Sequence, residues 1–173
     1  MTGIDARQLA HQSRPGEVVA EARRKAEAER ESRRRLNYRI TDEDAIGAGG
    51  PKAKVRANIA AIRLVKELQE GPAERKLTAD EKRTLVRYVG WGAFAQDVFA
   101  DHKDEWKAER QQLVDLLTAE EYDAARASTL NAHYTSKDVI DGMWGALDHL
   151  GFTGGRALEP SAGVGHFIGL VPN

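Results

Sequence analysis

The chain has 173 residues, which is enough for one domain with an extension. Its 26 basic and 27 acidic residues give a formal net charge of −1, so no global basic field requires a nucleic-acid partner and none excludes one. The absence of cysteine excludes disulfide frameworks, thiolate zinc sites and cysteine nucleophiles, and no metal site is predicted. No stretch is apolar enough to span a bilayer, and residues 1–7 lack the apolar core of a signal peptide, so a cytoplasmic protein without a membrane contact is expected.

Residues 1–36 are predicted to form a charged tail, either disordered or a fraying helix. Helix propensity is high from residue 17 to residue 36, but almost nothing apolar recurs at helical spacing. The triplet Arg33-Arg34-Arg35 could contact phosphate, but its acidic neighbours favour a solvated surface.

Residues 37–128 predict a helical extension. A glycine-rich loop ends at Pro51, and the apolar spacing that follows predicts a helix over 52–70, closed by Gly71 and Pro72. This helix carries its apolar stripe at Val55, Ile59, Ile62, Val65 and Leu68.

Two capping boxes predict further helix starts, one at Thr78 with Glu81 and one at Thr118 with Glu121. Between them, Gly-Trp-Gly predicts a tight turn that places the indole of Trp91 in a core, with a ligand-stacking tryptophan as the alternative.

Residues 129–173 are less charged and richer in glycine. A polar segment ends at Thr135 and Ser136, either of which can cap the helix predicted over 137–150. Gly151 closes that helix, and Ala157-Leu158 is predicted to be a strand. The apolar side chains of the helix lie on one broad face: Val139, Ile140, Met143, Trp144, Leu147 and Leu150.

The strand leads into a glycine turn, since residues 157–169 read Ala-Leu-Glu-Pro-Ser-Ala-Gly-Val-Gly-His-Phe-Ile-Gly. Glycines let a ligand approach the backbone, and a helix start donates N–H groups. The carboxylate of Glu159 would repel a pyrophosphate but suits a ligand that carries an ammonium and a carboxylate, such as the methionine end of S-adenosylmethionine. A dinucleotide fingerprint fails because Ile168 stands where its third glycine is required, and no Walker A tripeptide is present.

The order of these motifs resembles the start of amino-group DNA methyltransferases of the adenine N6 type. In that family a Tyr-Thr-Pro-like segment precedes a helix, and a strand ending in Asp/Glu-Pro-x-x-Gly-x-Gly-x-Phe follows it. The matching pieces are residues 133–136 and 158–167, with Ser136 in place of the usual proline and His166 in place of a common asparagine.

From about residue 37 the chain is also similar to the front end of very large proteins encoded by phages and mobile elements. Those proteins join an adenine methyltransferase to a superfamily-2 helicase. The resemblance is carried by residues 37–41, 58–63, 88–92 and 124–134, and Ala93 stands where the family usually has a glycine.

The resemblance implies a mainly α-helical N-terminal region followed by the start of an α/β Rossmann-like methyltransferase domain, truncated after its first strand and glycine loop. It implies S-adenosylmethionine as cofactor, DNA as partner and methyl transfer to adenine N6, linked to restriction or anti-restriction. Thr135 and Glu159 would hold the methionine end of the cofactor, or Thr135 would simply cap a helix. Phe167 would pack beside the cofactor or in the core, and the backbone would line it at Ala162, Gly163 and Gly165.

The catalytic loop of that family, Asn/Asp-Pro-Pro-Tyr/Phe, is absent because none of the five prolines is adjacent to another. No catalytic residue is therefore predicted, and the chain is expected to be an inactive fragment that binds S-adenosylmethionine weakly or not at all. Methyltransferase and helicase segments are expected to be missing from it. The alternatives are a non-enzymatic helical interaction module with an incidental glycine turn, or a nucleotide-binding fragment of another kind.

A lone strand has no partners for its N–H and C=O groups. The last 40 residues are therefore expected to be poorly ordered or to dock on the preceding helices. The helix over 137–150 then has no sheet to cover, so partial exposure is expected at Ile140, Met143, Trp144 and Leu147.

Overall fold

The computed structural model describes residues 15–72, 75–128, 134–155 and 157–172. These ranges are mainly helical and include two 3-10 turns, Asp42–Asp44 and Asp104–Trp106. Their α-helices are α1 (Pro15–Leu36), α2 (Pro51–Glu70), α3 (Ala79–Val86), α4 (Ala95–Val98), α5 (Lys107–Leu116), α6 (Ala119–Ser128), α7 (Lys137–His149) and α8 (His166–Gly169).

The chain divides into two compact units, Met1–Tyr38 and Arg39–Asn173. In the first unit, α1 is a continuous helix whose described side chains are all exposed. This is the expected result for a helix in which charged residues occupy every face. The side chains of the Arg33-Arg34-Arg35 triplet lie outside the described residues.

In the second unit, we call residues 51–128 the front helices. They enclose one apolar core, which α2 enters with Val55 and Ile59 and α5 enters with Leu113. Trp91 belongs to this core, as its flanking glycines predicted, and its ring meets that of Phe99 edge-on at 5.4 Å. The helix predicted over 52–70 is confirmed as α2.

Both predicted capping boxes are formed. Glu81 N donates to Thr78 Oγ1 at 3.2 Å, and Thr78 N donates to a Glu81 carboxylate oxygen at 2.8 Å. Hydrogen bonds from Arg75 and from the Thr78 backbone lower the pKa of Glu81 to about 2. Thr118 and Glu121 repeat the pattern at the start of α6, with distances of 3.2 and 2.9 Å. These exchanges satisfy N–H groups that a helix start otherwise leaves open.

The predicted strand at Ala157-Leu158 is not formed, and no strand occurs among the residues that the structure describes. Residues 157–159 have no regular secondary structure, and the side chain of Leu158 is 89% exposed. The physical reason is the lack of a neighbouring strand, because an isolated extended segment cannot satisfy its backbone groups. The Rossmann-like start expected over 129–173 therefore has no sheet in its described part.

Residues 134–172, which we call the C-terminal segment, pack on the front helices, which is one of the two outcomes expected for them. Met143 and Leu147 of α7 are exposed as predicted, but Ile140 is 1% exposed and that part of the prediction is wrong. Ser136 is the N-cap residue, although its side chain makes no capping hydrogen bond. The apolar surface of α7 is therefore wider than the part of it that packs on the front helices.

Among the described residues, none of the helices has the length and apolarity needed to cross a membrane. The same residues hold no group of three or more His, Asp or Glu side chains arranged to bind a metal ion.

Candidate functional site

The C-terminal segment is tied to the rest of its unit by polar contacts that cross long sequence distances. Ile40 N donates to Gly169 O at 2.9 Å, and the Arg39 guanidinium donates to Val171 O. On α7, Lys137 Nζ lies 3.0 Å from a carboxylate oxygen of Asp42. These contacts place the end of the chain beside the 3-10 turn at 42–44.

The glycine turn adopts a conformation that its sequence requires. Gly163 and Gly165 have φ values of +53° and +83°, in the left-handed region that favours glycine. Gly165 N donates to Ala162 O at 2.7 Å, which closes the turn. The turn then runs directly into α8, so the backbone of residues 162–165 is held in one compact loop.

A cavity of about 390 Å³ opens between this loop and the start of α7. Four of the six predicted cofactor residues lie on its wall: Thr135, Ala162, Gly163 and Phe167. The structure thus brings Thr135 next to a loop that follows it by nearly thirty residues. The other lining residues are Tyr134, Ile140, Pro160, Ser161, Val164 and His166.

Glu159 and Gly165, the other two predicted residues, do not line this cavity. Glu159 accepts a hydrogen bond from Ser161 N at 2.8 Å through one carboxylate oxygen, so it stabilises the bend around Pro160. Gly165 is the N-cap of α8 and contributes the turn geometry. His133, which belongs to the polar motif, lies outside the described residues.

The loop also carries backbone donors. The N–H groups of Ala162, Gly163 and Val164 have no hydrogen-bond acceptor among the residues that the structure describes. Successive backbone N–H groups in a turn that passes through the left-handed region, as this one does at Gly163, are the kind of donors that form anion-binding concavities. The residues that line the cavity thus include three whose N–H groups are unpaired among the described residues.

Two residues on the wall were not among the predicted cofactor residues. His166 is buried, and its Nε2 lies 2.7 Å from Val86 O at the end of α3. Because a carbonyl only accepts, this nitrogen carries the hydrogen. Burial lowers the pKa of His166, against a smaller opposing effect of the Val86 hydrogen bond. No local sequence pattern signals this contact, which spans 80 residues.

Tyr134 is the second residue, and its ring forms the side of the cavity nearest the front helices. The ring meets that of Tyr88 edge-on, with centroids 5.4 Å apart. Burial raises the pKa of Tyr134, and burial raises that of Tyr88 to about 12. Both phenols therefore stay neutral near pH 7 and act as packing and hydrogen-bonding groups.

A second cavity, of about 630 Å³, lies between α2, α3 and α6. Its wall is mostly apolar and includes Ile62, Leu85 and Ala124, with Lys66 and Glu121 paired at 2.5 Å beside it. None of the predicted cofactor residues reaches it. The two opposite charges on its wall are engaged with each other.

Comparison of the chain with protein-family models, with curated proteins and with solved structures gave no match.

Proposed function

We propose that this chain is the N-terminal part of an S-adenosylmethionine-dependent DNA adenine-N6 methyltransferase, from a methylase–helicase polypeptide of the restriction or anti-restriction kind. In this proposal the cavity between α7 and the glycine loop takes the methionine end of the methyl donor. The front helices form a rigid platform for that cavity.

The observation that supports the proposal is that two motifs far apart in the sequence line the same cavity. Thr135 precedes α7, and Ala162 and Gly163 follow it, yet they line the same cavity. Its volume of about 390 Å³ falls within the range of about 300–1,000 Å³ that small-molecule sites occupy. A glycine turn of purely structural origin would not need to face a second motif across an open space.

The chemistry of the wall suits the donor's amino-acid end. Its carboxylate would accept from the loop N–H groups at Ala162 and Gly163, and Thr135 would add a hydroxyl donor. Glu159 does not line the cavity, but it directly precedes Pro160, which does; one of its oxygens accepts from Ser161 N, and the other would attract the ammonium group. When bound, S-adenosylmethionine supplies the activated methyl group.

Methyl transfer needs parts that this sequence does not contain. A flipped adenine must be gripped by an Asn/Asp-Pro-Pro-Tyr/Phe loop, and no two prolines of the chain are adjacent. The chain by itself is therefore expected to bind the donor weakly and to leave DNA unmethylated. Weak here means a Kd on the order of 1 mM, or about 4 kcal/mol of binding free energy.

The test is a titration of the isotope-labelled chain with S-adenosylmethionine, read by NMR. We expect chemical-shift changes concentrated at residues 134–135 and 161–167. ATP and NAD, titrated in parallel, should leave those signals unmoved. Saturation by ATP or NAD at the same residues would contradict the proposal, as would an unchanged spectrum at a tenfold excess of donor over this Kd.

A pair of matched substitutions separates this cavity from the larger apolar one. Ala162→Leu fills the proposed site, whereas Ala124→Leu places the same side chain in the 630 Å³ cavity. The first should weaken donor binding at least tenfold, and the second should leave it unchanged. Equal effects of the two would show that binding does not occur at the glycine loop.

The second candidate function is a helical interaction module without catalysis. It is favoured by the exposed apolar stripe of α7, which includes Val139, Met143 and Leu147. In a methyltransferase this stripe would be covered by the rest of the same domain. Donor-induced shifts at the loop favour the enzyme, and self-association abolished by Met143→Glu without any donor binding favours the module.

A further inference from the structure

We propose that Gly90 of the front helices is a positioning residue for the glycine loop, and that it acts through the ring of Tyr134. The consequence for donor affinity rests on the function proposed above, whereas the effect on the loop itself does not. In this arrangement the front helices determine the width of the cavity through Tyr134, so they contribute to the geometry of the site.

The ring of Tyr134 lies between two glycines, Gly90 and Gly163. A Cβ added to Gly90 would lie 2.3 Å from Tyr134 Cδ2 and 2.5 Å from Cε2, well inside van der Waals contact. A Cβ added to Gly163 would lie 3.4 Å from Cε1, on the opposite edge of the same ring. One edge of the ring is therefore packed tightly against Gly90, and the other faces Gly163 in the loop of the cavity, with room there for a methyl group in ordinary contact.

The turn that carries Gly90 is held from beneath by a buried amide. Asn58 of α2 is fully buried; its Nδ2 donates to Gly90 O at 2.6 Å, and its Oδ1 accepts from Val89 N at 2.8 Å. Buried hydrogen bonds of this kind resist displacement because breaking them leaves unsatisfied polar groups. The backbone at Gly90 is thus a fixed surface against which the ring rests.

The contacts of the ring set the direction in which it can move. The ring of Tyr88 meets it edge-on at 5.4 Å, and Gly163 lies at its far edge. A methyl group at position 90 would therefore push the ring toward the loop, where Gly163 and its neighbours line the cavity. Because the ring itself lines the cavity, its displacement changes the shape of the cavity directly.

Gly90→Ala tests this chain of contacts, and Gly47→Ala is its matched control. The two glycines have similar φ values, +71° and +66°, so alanine is strained to a similar degree at both. Only position 90 adds a collision, because a Cβ on Gly47 meets nothing within 4 Å. Any difference between the variants therefore reports on the Tyr134 contact rather than on backbone strain.

The measurement is hydrogen exchange of the amides at residues 162–170 in the full chain. Gly90→Ala should accelerate it roughly tenfold or more, the range expected from typical overpacking, and Gly47→Ala should not. In a Tyr134→Leu background, Gly90→Ala should add almost nothing, because the ring that transmits the displacement is gone. Equal exchange in the two glycine variants, or full additivity with Tyr134→Leu, would overturn the inference.

If Gly90→Ala does not fold, 3-fluorotyrosine at position 134 supplies the second measurement. Gly163→Ala should then shift the fluorine resonance of Tyr134, whereas Gly142→Ala, in open space on α7, should leave it in place. An unmoved resonance in Gly163→Ala would also overturn the inference. If Gly90→Ala accelerates exchange in the loop but the chain binds no S-adenosylmethionine, this inference is supported and the proposed function is contradicted.

Discussion

The front helices and the C-terminal segment are both mainly helical, but different contacts hold them in place. The front helices bury a continuous apolar core that includes Trp91, Trp106 and Leu113. Within the described part of the C-terminal segment, Ile140 is the buried apolar side chain. That segment depends instead on hydrogen bonds such as those from Ile40 N to Gly169 O and from His166 to Val86 O.

The difference indicates two levels of local stability in one unit. Apolar burial contributes about 25 cal/mol per Å², whereas a single hydrogen bond contributes on the order of 1 kcal/mol net. Segments with few buried apolar contacts open with lower free energies than the core does. The candidate site therefore lies on the less stable part, supported by the more stable one.

Leu113→Ala should have the largest effect on stability. Leu113 is fully buried (0% exposed), and removing its side chain from the core should lower the free energy of unfolding by about 2–5 kcal/mol. Equilibrium unfolding in guanidinium chloride measures the change. Its matched control is Leu158→Ala, whose side chain is 89% exposed and should change stability by about 0.5 kcal/mol at most. A large loss from Leu158→Ala would show that residue 158 is covered in solution.

The same division explains which features could be predicted from the sequence. Helix α2 and the two capping boxes were predictable because their signals are local: apolar spacing for the helix, and Thr78 with Glu81 for a cap. The core position of Trp91 followed from its flanking glycines. Each of these features lies in the front helices, where local preference and core packing agree.

Features that depend on distant partners were not predictable in the same way. The prediction of a strand at 157–158 was wrong because a strand forms only beside a neighbouring strand, and local propensity does not show whether one is present. The burial of Ile140, with Val139 exposed beside it, depends on which side of α7 meets the front helices. The candidate site was partly predicted, through Thr135 and the glycine loop, but the wedge of Tyr134 against Gly90 joins residues 44 positions apart.

Substitutions at two helix N-caps, one in each region, should change stability by an intermediate amount. Thr118→Ala removes the acceptor of Glu121 N in the front helices and should cost about 1 kcal/mol. Ser136→Ala, at the N-cap of α7, removes no capping hydrogen bond and should cost less than about 0.5 kcal/mol. Thermal unfolding of both variants checks the ranking. A loss from Ser136→Ala as large as that from Thr118→Ala would show that Ser136 caps α7 in solution.

The smallest expected effect is a local one that depends on pH. Burial lowers the pKa of His166 below its ordinary value of 6.5 when α8 is docked. The undocked state therefore binds a proton more readily, and the docked state is fully favoured only above about pH 6.5. As the pH falls below this value, docking weakens until the lowered pKa of the folded state is passed.

Hydrogen exchange between pH 7.5 and 5, corrected for intrinsic rates, measures this loss. The amides of Gly169 and Leu170, which donate within and just after α8, should lose protection, while amides in α2 keep theirs. His166→Gln retains an N–H donor for Val86 O but does not titrate, so its protection should be independent of pH over this range. If the variant keeps the pH dependence, the titrating group is a residue other than His166, and this imidazole is only a structural contact.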